Sequence, residues 1–94
     1  MFVLIAYDVA TIDKAGVRRL RRVARACKDY GQRVQNSVFE CKLDLKHWVM
    51  LRDRLLREID RKQDSLRFYF LDVDTEIEHH GTKEPIDLEA PLIC

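Results

Sequence analysis

Gln32-Arg33-Val34-Gln35-Asn36-Ser37-Val38-Phe39-Glu40-Cys41-Lys42-Leu43 sits near the middle of this chain and decides how the rest is arranged. Its first residues alternate in polarity, and then Val38 and Phe39 stand side by side, on opposite faces of an extended backbone. Both faces of the segment therefore have something to bury. The polar pair Asn36-Ser37 interrupts the run, as a bend, a bulge or a short hairpin would.

Helical periodicity flanks this segment on both sides. In residues 14–30, Val17, Leu20, Val23, Ala24 and Cys27 recur at three- and four-residue spacing, with Arg18, Arg19, Arg21, Arg22, Arg25 and Lys28 on the other sides. This predicts an amphipathic helix with a basic surface, capped by Thr11 or Asp13 and stopped by Gly31. After the segment, Asp44 caps a second predicted helix reaching about residue 62, with Trp48, Leu51, Leu55 and Ile59 as its apolar stripe and Leu45 and Leu56 beside it.

Further out, Phe2-Val3-Leu4-Ile5-Ala6-Tyr7-Asp8-Val9 has no polar alternation and suits a central strand buried on both faces. Asp64-Ser65 turns into Leu66-Arg67-Phe68-Tyr69-Phe70-Leu71, another strand with large side chains on both sides. The order β-α-β-β-α-β predicts an α+β, ferredoxin-like sandwich, an antiparallel sheet with both helices on one face. Residues 84–94 are too apolar for a loose tail and are expected to add a C-terminal strand at an open sheet edge, its own or a partner's. The uncovered sheet face also needs a cover, and a second copy of the chain is the simplest one.

Ninety-four residues, 47% apolar and 35% charged, fit one domain spanning 1–94. Folding at this size buries only about 60 to 65% of the unfolded surface, so a homodimer is the default expectation. The longest apolar run, residues 2–6, is far short of the roughly 18 residues that cross a bilayer. No secretory signal pattern opens the chain, so a cytoplasmic protein without membrane contact is expected. Cys27, Cys41 and Cys94 are odd in number and widely spaced, which predicts reduced thiols, with Cys27 a small buried hydrophobe.

The net charge is only +1, but residues 14–33 hold eight Lys or Arg against Asp29, while residues 72–94 hold seven acids against Lys83. A basic element of that kind is either a solvated face or one that binds phosphate locally, which it can do even in a nearly neutral chain. Arg52, Arg54, Arg57 and Arg61 are mixed with acids and read as a solvated face. Asp8 ends an otherwise apolar strand, where a carboxylate emerges either as a functional group or as a solvated or capping side chain. One carboxylate is a poor magnesium site alone, yet a symmetry mate would supply a second, enough with waters and substrate phosphate to hold the ion. His79-His80 point to opposite sides of an extended chain and cannot readily chelate one ion, and His47 reads as a surface residue. Gly-rich phosphate loops, nucleophile elbows, acid-rich two-metal clusters and the aromatic RNA-recognition signature are all missing from the sequence.

Taken together, several blocks resemble a known family: the strand ending Tyr7-Asp8, the run Arg19-Leu20-Arg21-Arg22-Val23-Ala24, and Tyr30-Gly31-Gln32-Arg33-Val34-Gln35-Asn36-Ser37-Val38-Phe39-Glu40-Cys41. With Asp64-Ser65-Leu66-Arg67 and Ile86-Asp87-Leu88-Glu89, nearly the whole chain resembles the Cas-two family of CRISPR-associated adaptation proteins. Its ending and its Gln35-Asn36-Ser37 wording look most like members that accompany type I-C systems. The resemblance implies a ferredoxin-like homodimer that exchanges C-terminal strands, binds double-stranded DNA and bridges dimers of the Cas-one integrase in spacer acquisition. It also implies an endonuclease on DNA or RNA that depends on Mg2+ or Mn2+, with Asp8 as metal ligand and catalytic residue, supported by Tyr7, Ser37 and Phe39. Arg18, Arg19, Arg22, Arg25 and Arg33 are the expected nucleic-acid contacts. The alternatives are a purely structural DNA-binding adaptor and a toxin-type ribonuclease of the same fold.

Overall fold

Two aspartates set where the helices begin, each by offering its carboxylate to a backbone N–H that the first turn leaves without a partner. In the computed structural model, which describes residues 1–82, Asp13 accepts from the Gly16 N–H at 2.8 Å and opens helix α1, Lys14–Tyr30. Asp44 accepts from the His47 N–H at 2.8 Å and opens helix α2, Leu45–Glu58. Gly31 closes α1 by donating its N–H to the Cys27 carbonyl at 2.8 Å.

The second helix is shorter than its apolar stripe predicts. Ile59 leaves the helical region for extended backbone, and Asp60 takes the Lys62 N–H at 2.9 Å and the Gln63 amide at 2.8 Å. Those local side-chain bonds compete with the helical ladder and turn residues 59–64 into a connection.

Strands β1 (Phe2–Asp8), β2 (Gln32–Gln35), β3 (Val38–Lys42) and β4 (Ser65–Leu71) form one antiparallel sheet in the order β2-β3-β1-β4. The interruption at Asn36-Ser37 is a hairpin turn, and the register shifts between Arg33 and Gln35, so a turn and an irregularity coexist. β1 is central, paired with β3 on one side and β4 on the other.

Strand parity divides the sheet. Val3, Ile5 and Tyr7 share one face with Phe39 and Cys41, and close against Val23, Ala26 and Cys27 of α1 and Trp48, Leu51 and Leu55 of α2. Each large side chain fully buried here stabilises the fold by about 1.5–3 kcal/mol relative to exposure. Burial pushes the Cys27 and Cys41 thiols up to about 12, so both are inert fillers of that core, as expected for Cys27.

The other face carries Leu4, Ala6 and Asp8, with Val38, Glu40 and Tyr69 beside them. It is only partly covered: Leu4 and Val38 line a cleft with Ile77 and His79, while Tyr69 stays exposed. β1 is therefore fully buried on the helix side and half-buried on the other among the described residues. The expected C-terminal strand, 84–94, lies outside the described residues. Within them, no helix is long and apolar enough to cross a membrane.

Candidate functional site

Asp8 is the last residue of β1 and stands opposite Ser65 in the β1–β4 ladder. It is exposed, and its carboxylate takes part in no hydrogen bond or ion pair with the described residues. Six apolar residues precede it in the strand, so the backbone that presents it is held by sheet and core while the side chain is left open. A free, rigidly mounted carboxylate is a hard oxygen donor suited to magnesium or manganese, which keep several waters and take phosphate oxygens as further ligands. The described residues contain no group of three His, Cys, Asp or Glu side chains able to hold an ion.

Two of the residues expected to support Asp8, Tyr7 and Phe39, lie on the far side of the sheet. Neighbours in a strand point to opposite faces, so Tyr7 faces the helices, 6% exposed, with its ring 6.2 Å from that of fully buried Phe39. The Arg33 guanidinium sits 5.0 Å over the Phe39 ring. Burial raises the Tyr7 phenol, against the opposing effect of the Arg33 hydrogen bond. Ser37 contributes its carbonyl, which accepts the Tyr7 N–H at 3.0 Å. Tyr7, Arg33 and Phe39 therefore come together behind the end of β1, on the face away from the Asp8 carboxylate, while Ser37, in the β2–β3 turn, lines the cleft on the Leu4 face.

The basic helix divides as well. Arg18, Arg22 and Arg25, spaced four and three apart, form an exposed stripe along α1. Arg25 makes one long contact, 3.8 Å to Asp29, and Asp29 is held more closely by Arg54 of α2 at 2.9 Å. Arg19 is different. Its Nε and Nη2 donate to the two oxygens of Asp64 at 2.9 and 3.3 Å, and the Asp64 side chain has no exposed surface. Asp64 is the residue that sequence reasoning missed: an aspartate before a serine in a polar turn reads as an ordinary turn residue. Its only prior signal is the Asp64-Ser65-Leu66-Arg67 block within the family resemblance.

The histidines are occupied locally. His47 Nδ1 lies 2.6 Å from Asp44, His80 pairs with Glu78, and His79 reaches the Gly81 carbonyl. Neither member of the His79-His80 pair shares a partner with the other, in keeping with their opposite directions.

Comparison with known proteins decides the family. The family model described as CRISPR associated protein Cas2 matches residues 1–76. The chain belongs to the Cas2 family. A Chlorobaculum tepidum protein named CRISPR-associated endoribonuclease Cas2 is 59% identical to it over 95 residues, covering 99% of each chain. A Halalkalibacterium halodurans protein named CRISPR-associated endonuclease Cas2 is 54% identical, again over 99% of each. Among solved structures, Streptococcus pyogenes Cas2 at pH 6.5 superposes with a TM-score of 0.76 at 51% identity, covering 86% of this chain and 100% of that one. The four-stranded antiparallel sheet with two helices is thus an architecture shared with other Cas2 proteins.

Proposed function

We propose that this Cas2 protein is a divalent-metal-dependent endonuclease that works as a cytoplasmic homodimer in CRISPR adaptation, hydrolysing phosphodiester bonds of RNA or double-stranded DNA at Asp8. The observation that carries the reading is the exposed, unengaged Asp8 carboxylate at the end of a buried strand. Close relatives named endoribonuclease and endonuclease support the reaction class. The half-covered sheet face of Leu4, Ala6 and Tyr69 supports pairing with a second copy, which brings the second Asp8. The strand order β2-β3-β1-β4 with connecting helices supports the ferredoxin-like description.

In this reading the two Asp8 carboxylates hold the ion, and the core behind β1 fixes their direction. A magnesium or manganese ion supplies charge neutralisation and Lewis acidity at the phosphodiester when bound. Arg18, Arg22 and Arg25 lie along the nucleic-acid backbone and supply salt-dependent affinity. The wording of Gln35-Asn36-Ser37 supports an association with type I-C systems.

The exposed arginine stripe favours a second role beside the first: a DNA-binding adaptor that bridges Cas-one integrase dimers without cleaving. Cleavage of labelled RNA and duplex DNA by wild type and Asp8→Ala, in magnesium, manganese or EDTA, separates the two. Metal-dependent cutting lost in a folded Asp8→Ala protein is the expected result. Cutting that survives the substitution, or that needs no divalent ion, overturns the nuclease reading and leaves the adaptor.

A further inference from the structure

We propose that Asp64 is a positioning residue for Asp8: its buried carboxylate ties the chain leaving β1 to the entry of β4 and sets where the Asp8 side chain emerges. The inference rests on the nuclease reading of Asp8. Asp64 Oδ1 accepts the Ala10 N–H at 3.1 Å, two residues beyond Asp8, and Oδ2 accepts the Asp60 N–H at 2.8 Å. Each oxygen also takes one N–H of Arg19, so the Arg19 fork and the two backbone donors share four bonds between two oxygens. The next residue, Ser65, is the ladder partner of Asp8 itself. One side chain therefore joins the chain leaving β1, the chain entering β4 and the first turns of α1.

Such an arrangement is not needed merely to close the core, which among the described residues already contains thirteen buried apolar side chains. A buried carboxylate is costly to desolvate, and it is tolerated here because every lone-pair direction meets a donor. Burial pushes the Asp64 carboxyl up, and the Arg19 and backbone hydrogen bonds outweigh it and hold the group below its usual value, so it stays ionised at neutral pH. Arg19 is thereby withdrawn from phosphate binding and becomes the partner that keeps Asp64 charged and oriented.

An amide cannot replace this carboxylate. Whichever way the side chain introduced by Asp64→Asn is turned, its NH2 meets one of the two backbone N–H groups. Arg19→Lys differs, since it keeps a cation and leaves both oxygens available to Ala10 and Asp60. Purified wild type, Asp64→Asn, Arg19→Lys and Asp8→Ala are compared below their melting temperatures, first by hydrogen exchange at the Ala10 and Asp60 amides and then by magnesium-dependent cleavage kinetics.

Asp64→Asn is expected to speed exchange at whichever of the Ala10 and Asp60 amides meets the NH2, and to lower kcat by about tenfold to a hundredfold with KM within about twofold, the pattern of a misplaced reacting group. Arg19→Lys, which keeps the charge and loses the bidentate fork, is expected to fall between wild type and Asp64→Asn in both amide exchange and kcat. Should Asp64→Asn fail to fold, Asp64→Glu, which moves both acceptors by one methylene, carries the same expectations. Unchanged exchange at both amides, or wild-type kcat, in the folded Asp64 variant overturns the proposal. Wild type that cuts no better than Asp8→Ala overturns the nuclease reading instead, and exchange at the two amides then still decides whether Asp64 holds the strand end.

Discussion

Replacing Gly16 by alanine sets two ordinary rules against each other. Gly16 lies in the first turn of α1 and is buried, and alanine is the better helix former by about 1 kcal/mol. Propensity alone therefore predicts a more stable protein. A Cβ built at this position, however, meets the Ala10 carbonyl oxygen at 2.0 Å, its carbon at 3.0 Å and an Asp13 carboxylate oxygen at 3.2 Å. Ordinary contact needs about 3.4 Å or more, so the Ala10 backbone or the helix end must retreat by about 1.4 Å. Ala10 is held by Asp64 at 3.1 Å and Asp13 caps the helix at 2.8 Å, so a movement of that size breaks at least one hydrogen bond to a carboxylate. Such bonds contribute about 1.5–3 kcal/mol each. Set against the propensity gain, the substitution is expected to destabilise by about 0.5–2 kcal/mol, which at this chain length lowers Tm by several degrees. Urea unfolding of wild type and Gly16→Ala, followed by circular dichroism at fixed protein concentration, measures it. An unchanged or raised midpoint with an unchanged m value would refute the close approach of Ala10 to α1 and weaken the account of the strand end built on it.

Phe39→Ala removes a fully buried ring from the centre of the core and should cost about 3–5 kcal/mol, read in the same urea experiment, with Phe39→Leu losing much less. Replacing Arg18, Arg22 and Arg25 together by alanine should weaken duplex DNA binding and reduce the slope of log K against log salt by up to about 2.7, while leaving Tm nearly unchanged. Arg19→Ala is not equivalent to any of these, because Arg19 is already engaged by Asp64. Asp64 has a lowered carboxyl pKa, so its contribution is present above the unfolded carboxylate value of about 3.9 and is lost as pH falls through the lower folded value. Wild-type Tm should therefore fall below about pH 4 more steeply than that of Asp64→Asn, and parallel curves would contradict the assignment.

Much of the architecture was legible because it depends on period. Apolar residues at three- and four-residue spacing placed α1 at the observed bounds, and Asp13 and Asp44 marked real helix starts because their side chains act within a single turn, whereas Gly31 ends α1 in extended backbone and is small because Cys41 of β3 packs against it. The end of α2 was misplaced because the Asp60 side chain competes with the ladder there, which apolar spacing does not register. Asp8 could be singled out as a carboxylate at the end of an apolar run, since that is a local property of the strand.

What surrounds Asp8 was not legible. Motif adjacency grouped Tyr7, Ser37 and Phe39 with it, but strand alternation sends Tyr7 and Phe39 into the core on the opposite face, beneath the Arg33 guanidinium. The arginines of α1 looked alike as charges on a helix, and only packing separates exposed Arg18, Arg22 and Arg25 from Arg19, whose partner lies forty-five residues away in sequence. By itself the sequence determined the elements, their order, the family and the carboxylate at the end of β1, because these follow from local chemistry and pattern. Only the tertiary structure decided which charges are spent on holding the chain together and which remain for a ligand, because that depends on burial and on partners brought close by the folded sheet.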